Sequence, residues 1–387
     1  MGEAQEVQLE IMAGKEAREG NALDDENTNS SNQSTVTQHK TYKWWLLMAI
    51  FALFLLVGQS AAILLGRLYF DKGGNSKWMA TLVQPCGAPL LLPLYFLLAG
   101  KGSEENGRNV NSPSVLVLVV VYVSLGVIIA VDCFFYSVGL LDLPVSTYSL
   151  ICASQLAFNA FFSFFLNSQK FTPFIINSLV LLTISSILLV FQNDSSNSND
   201  VSKGKYAIGF ICTLVASAGY GLLLSLIQFV FQKVLKRVTR NAILDMIIYP
   251  SIVATCFVLV GLFASGEWKS LKGEMEEFKL GRVSYLMTLI WTAICWQVFS
   301  IGSVGLIFEV SALFSNVIST LGLPVVPVLA VVFFNDKMNG VKVISMVLAM
   351  WGFVSYVYQH YLDDHKSKTK SSNPTTDQLL LAKRQSP

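Results

Sequence analysis

The sequence predicts an all-α polytopic membrane protein of about ten transmembrane helices. Composition is the first sign: 53% of the 387 residues are hydrophobic and 13% are charged, the latter about half the quarter usual for a soluble domain. A mean hydropathy of +0.54 is hard to reconcile with a water-covered surface. The third sign is spacing. Ten stretches meet or approach the roughly 20 apolar residues a helix needs to cross hydrocarbon, where its own backbone supplies the only hydrogen-bond partners.

In chain order, residues 1–43 are polar and rich in Asn, Ser, Thr and Glu, which reads as a disordered tail with no secretory signal ahead of the core. The first segment, 44–66, carries Gly58, Ala62 and Gly66 at four-residue spacing, a close-packing face, with Gln59 and Ser60 beside it. A glycine-containing turn at 71–76 leads to the second segment, 78–99, where Gln84 stands beside Pro85 and Pro89 and Pro93 follow. The third segment, 114–139, holds Asp132. A five-residue link, 140–144, precedes the fourth, 145–166, and the fifth runs over 172–192. A polar connector, 193–205, separates this first half (44–192) from the second (206–361). The sixth segment, 206–231, ends at a basic link, 233–240. The seventh, 241–265, carries Asp245 in its first turns, where an acid complements the helix N-terminus. A connector of mixed charge, 266–282, precedes the eighth segment, 283–306, with Trp291, Trp296 and Gln297. Glu309 lies in the link before the ninth segment, 310–334, which contains Pro324 and Pro327. The tenth spans 341–361, and residues 362–387 read as a second disordered tail.

A faint repeat relates the halves. Gly139-Leu140, Val145-Ser146 and Tyr148-Ser149 find counterparts in Gly305-Leu306, Val310-Ser311 and Phe314-Ser315, with a gap of about two residues. Taken as a repeat, a five-helix block is used twice; five is odd, so the second copy enters the membrane the other way up, as in secondary transporters. Taken as chance, it says nothing. The Lys and Arg count leaves orientation open: with both tails it puts the N-terminus in the cytoplasm, and without them it points the other way.

A polar group in lipid costs free energy unless it faces a partner or a cavity. Ser149, Cys152, Gln155, Asn159 and Ser163 fall on one face of the fourth segment, either lining a solute path or hydrogen-bonding to neighbouring helices. Gln155 and Asn159 are the prime candidates, since an amide offers donors and an acceptor. Gln84 and Gln59 are further candidates, and Trp291 and Trp296 offer flat faces for a planar solute or ordinary packing. The prolines either shape a cavity or simply bend their helices. Asp132, deep in an apolar run, is the first candidate to carry a coupling proton; Glu309, at a segment end, is the second.

Other functions are disfavoured. The net charge of +2 gives no nucleic-acid footprint. The six cysteines lie in apolar runs with no CxxC pair, and His39, His360 and His365 lie at the edges or in the tails, so no metal site and no cofactor are expected. No Walker loop and no HExxH motif occur, and no catalytic residues are expected.

Several blocks resemble the plant purine permease family, within the drug/metabolite transporter superfamily. They are GRLYFDKGGNSKW (66–78), LPVSTYSLICASQLAFNA (143–160), residues 291–302, GLPVVP (322–327) and NDKMNG (335–340). The resemblance covers about 42–362. It implies ten helices in two inverted five-helix halves, both termini cytoplasmic, in the plasma membrane. It also implies proton-coupled uptake of purine bases and related heterocycles, including adenine, cytokinins and some alkaloids. The run Gln84-Pro85-Cys86-Gly87-Ala88-Pro89 departs from the more apolar Gly, Phe-Pro pattern of the family, with an extra proline and no aromatic. The expected partners are a heterocyclic solute, protons and the bilayer, with no nucleic acid; the oligomeric state is open. Two rivals stand beside this reading: a nucleotide-sugar or sugar-phosphate exchanger, which needs buried cations that the segments lack, and a non-transporting receptor or scaffold.

Overall fold

The computed structural model describes residues 43–101, 114–168, 200–235, 241–323 and 325–334, with scattered positions of 173–184 and 340–358. Among them every regular element is helical: α1 (Lys43–Asp71), α2 (Lys77–Val83), α3 (Leu92–Lys101), α4 (Val115–Asp142), α5 (Val145–Cys152), α6 (Gln155–Asn167), α7 (Asp200–Phe229), α8 (Asn241–Ser265), α9 (Leu271–Glu277), α10 (Arg282–Glu309), α11 (Ala312–Gly322) and α12 (Val325–Phe334). Seven spans are long and apolar enough to cross a bilayer: α1, Lys77–Phe96, α4, α5 with α6, Gly204–Leu235, α8 and α10. The described residues of the fifth and tenth predicted segments are helical, and Asn177 Nδ2 donates to Ser355 Oγ at 3.0 Å between them. Residues 1–42 and 362–387 of the predicted tails, Pro324 and the charged turn at 335–339 lie outside the described residues, whereas Lys43 opens α1.

The chain divides into two units, 1–50 and 51–387. In the first, the Trp44 and Trp45 rings meet edge to face, 5.2 Å between centroids. The second has its polarity turned outside in. Val115, Phe165, Val260 and Val332 are exposed, whereas Gln155, Asn159, Thr213, Ser217, Ser225 and Asn316 are buried. In water this arrangement costs free energy twice; in a bilayer both choices are favourable.

Three predicted single helices are interrupted. In the second segment, Pro85 and Pro89 lack the backbone N–H that would continue the ladder, and a turn and one 3-10 stretch (Ala88–Leu91) separate α2 from α3. In the ninth, α11 stops at Gly322, before α12. The fourth tightens between Cys152 and Gln155, where Ala153 and Ser154 bond back three residues, to Leu150 and Ile151. α6 packs on α11 and α5 on α12, so the two interrupted helices cross with opposite chain direction.

Gly58 is a close-approach position. A Cβ there would lie 2.6 Å from Phe299 N and 2.8 Å from Cys295 O, so only glycine lets α1 lie against the α10 backbone. Arg67 fastens the far end of α1: its Nη1 donates to Leu140 O at 3.0 Å and Leu143 O at 2.9 Å, supplying the donors that the last carbonyls of α4 lack. All six cysteines are unpaired thiols, as packing residues would be.

Candidate functional site

The interruptions surround a cavity of about 130 Å³ inside the second unit. α1 contributes Gln59 and Ile63; the turn after α2 contributes Gln84 and Pro85; α4 contributes Asp132, Cys133 and Tyr136. Tyr148 and Cys152 come from α5 and Gln155 from the start of α6, on either side of the tightened turn, Tyr220 and Leu224 from α7, and Met246 and Ser251 from α8. α10 closes the ring with Trp296, Gln297, Phe299, Ser300 and Ser303. Among the described residues the lining holds one carboxylate, Asp132, and no Lys, Arg or His.

Backbone breaks at this depth are tolerated where they line a cavity and find other partners. Here the partners are side-chain amides. Gln84 Nε2 donates to Ser137 Oγ at 3.0 Å and Cys133 O at 3.3 Å, and Gln84 O accepts from Gln297 Nε2 at 3.3 Å. Gln155 Nε2 donates to Ser319 Oγ at 3.0 Å, and Ser319 Oγ donates to Gln59 Oε1 at 3.0 Å. Tyr136 OH reaches Gln155 Oε1 at 3.5 Å. One chain of hydrogen bonds thus runs from α1 through α11 to α6 and α4.

Two lining groups have an oxygen left over. Asp132 Oδ1 and Gln297 Oε1 are buried without a hydrogen-bond partner among the described residues. Asp132 is 6% exposed, and its Oδ1 would lie 2.5 Å from a Cβ at Gly219, so its carboxyl occupies the space a side chain on α7 would fill. Partnerless polar atoms in a native interior signal a ligand, an ion or water.

Of the residues expected at the site, Gln59, Gln84, Asp132, Gln155 and Trp296 meet in this cavity. The other three are placed elsewhere. Asn159 turns to the interface of α6 with α7 and α11: its Nδ2 donates to Ala312 O at 3.1 Å and its Oδ1 accepts from Ser225 Oγ at 2.8 Å. Trp291, 55% exposed, lies on the outer surface of α10. Glu309 ends α10, half-buried and outside the lining. Unforeseen lining residues are Tyr136, Tyr220 and Ser303, and behind the lining the α11 pair Asn316 and Ser319 holds Gln155 and Gln59. The pair did leave a signal: Ser315, Asn316, Ser319 and Thr320 form a polar stripe matching that of the fourth segment.

Comparison with known proteins gives the family. Residues 46–366 match the family described as purine nucleobase transmembrane transport. The chain is 58% identical over 373 residues to "Probable purine permease 10" of Arabidopsis thaliana, covering 96% of this chain and 95% of that one. It is equally identical, over the same length and shares, to "Purine permease 21" of Arabidopsis thaliana. With "Probable purine permease 6" of Arabidopsis thaliana the identity is 57% over 346 residues, 88% of this chain and 89% of the relative. The relatives are named as permeases, that is, transporters rather than enzymes, and this multi-pass membrane chain belongs to the purine permease family.

Proposed function

We propose that this chain is a proton-coupled transporter of purine nucleobases and related heterocycles, adenine, cytokinins and some alkaloids among them, working by alternating access. The observation that carries this reading is the cavity: amides and aromatic faces around, among the described residues, a single carboxylate and no cation. A planar base presents donors and acceptors along its edge, which Gln155, Gln84, Gln59 and the free oxygen of Gln297 are equipped to meet. Trp296 covers a face of the base, and Asp132 carries the proton. An anionic nucleotide-sugar or sugar phosphate would find no counter-charge there, which weighs against the exchanger. Asn159, Trp291 and Glu309 act at most from outside the lining.

Around this site we assign ten helices in two inverted halves, 44–192 and 206–361, joined by the 193–205 connector, whose residues from Asp200 onward are already part of α7, with tails 1–43 (Lys43 opening α1) and 362–387 in the cytoplasm and the protein in the plasma membrane. The opposed crossing of α5–α6 with α11–α12 supports that symmetry.

The test is uptake of radiolabelled adenine by cells expressing the chain, at acidic and near-neutral external pH, with and without a protonophore. Saturable uptake, faster at acid pH and collapsed by the protonophore, is the expected result. Asp132→Asn should abolish the pH dependence while the protein still reaches the surface; uptake that keeps its pH dependence in this variant sinks the assignment of Asp132.

A further inference from the structure

Glu274 lies in α9, outside the membrane spans, yet it is 8% exposed. Its two oxygens collect four hydrogen bonds from three other parts of the chain. Oε1 accepts from the Tyr69 hydroxyl of α1 and, at 3.1 Å, from the Tyr285 hydroxyl of α10. Oε2 accepts from the backbone N–H groups of Asn75 and Ser76, each at 3.1 Å. Glu267 works beside it: its Oε2 accepts from Ser76 Oγ at 2.6 Å and from Trp78 N at 3.2 Å. Lys279 N also donates to Lys72 O at 2.9 Å. The 266–281 connector is therefore fastened over the 72–76 turn and ties α1, α2 and α10 together at one face. A plain helix cap needs one acceptor for one helix; two carboxylates bridging three spans exceed that need. Charge-assisted hydrogen bonds of this kind are roughly twice as strong as neutral ones.

What lies beneath the clasp gives it meaning. A second cavity, about 30 Å³, shares Gln84, Tyr136, Tyr148 and Trp296 with the central one and is walled on its other side by Gly66 and Tyr69. The two cavities thus adjoin across shared side chains, and the smaller one reaches Tyr69, whose hydroxyl Glu274 holds.

We propose that Glu274 and Glu267 are positioning residues of the transport cycle, fastening the 266–281 connector as the closure of the solute path on this face. Opening the central cavity to that face requires the release of these bonds, and re-forming them seals it. The inference rests on the transport reading of the central cavity.

Cys133 and Cys152 line that cavity and serve as native reporters. The full chain is placed in proteoliposomes, a membrane-impermeant thiol reagent is added to each side in turn, and modification is mapped by peptide mass. The wild-type chain should label slowly from the clasp face. Glu274→Gln, which keeps the shape but removes the charge and one of the two accepting oxygens, should label several-fold faster from that face alone. Glu267→Gln should shift in the same direction by less, and it carries the test if the first variant does not fold. Unchanged rates in folded variants, or equal acceleration from both faces, would overturn the closure. Adenine uptake by the same liposomes separates the two readings: uptake without a sided change in labelling keeps transport and removes the closure, whereas a sided change without uptake keeps the closure and removes the purine reading.

Discussion

Asn159 and Asp132 are both buried polar residues, and the surroundings of their oxygens separate them. Asn159 is matched on both ends of its amide, and Ser225 and Ser163 donate to the same Oδ1, at 2.8 Å and 3.2 Å. Asn159→Ala would remove the bonds from Nδ2 to Ala312 O and from Ser225 and Ser163 to Oδ1, each contributing about 0.5–1.5 kcal/mol, while Ser225 Oγ keeps Gly221 O at 3.1 Å and Ser163 Oγ keeps Ser225 Oγ at 3.0 Å. The expected outcome is a marked fall in thermal unfolding temperature in detergent, with residual uptake proportional to the folded protein. Asp132 Oδ1 has no such partner among the described residues, and a buried carboxylate oxygen left unmatched is a cost to the fold rather than a support. Asp132→Asn is therefore expected to unfold at or above the wild-type temperature while losing coupled uptake, a pairing of outcomes that a structural residue would not give. The polar stripe of the fourth segment was legible as a face. Which neighbour covers each position was not, because α7 and α11 lie far away in sequence.

At the scale of elements, the 66–78 block was visible as a pattern, but its physical content lies in partners distant along the chain. Arg67 serves the α4 carbonyls of Leu140 and Leu143, while Tyr69 and Ser76 serve the 266–281 connector. The interruption of the second segment could be read from its prolines. The tightening at Ala153 and Ser154 could not, since neither residue is a helix breaker and the turn is held by contacts outside the segment. Arg67 allows a test in which magnitudes decide. Its pair with Asp71 at 2.9 Å is partly exposed and lies one turn along the same helix, so it contributes a few tenths of a kcal/mol. Its two bonds to otherwise unmatched carbonyls contribute about 1–3 kcal/mol. Asp71→Ala should leave the unfolding temperature nearly unchanged, and Arg67→Ala should lower it clearly. Equal effects would show that the ion pair, and not the helix end, is what Arg67 serves.

For the whole molecule, the outward apolar surface and inward amides follow directly from composition and spacing, which is why the membrane class was legible from the sequence. The number of crossings is a different kind of quantity, because it depends on whether interrupted helices span. Seven described spans satisfy length and hydropathy together, while α11 and α12 are too short individually and the fifth and tenth segments are described only at scattered positions. Parity turns this into an experiment. An odd number of crossings puts the two tails on opposite faces, and ten puts them on one. The bond from Asn177 to Ser355 joins the start of the fifth segment to the end of the tenth, which places those two points at one depth. With ten crossings both points lie at the face from which the tails leave. Epitope tags placed at each terminus of the full chain, probed with antibody in intact and permeabilised cells, should therefore be reached together and only after permeabilisation. A tag reached in intact cells at one end alone would mean an odd number of crossings and would remove the inverted five-plus-five arrangement, whereas both tags reached in intact cells would keep the ten crossings and reverse the orientation.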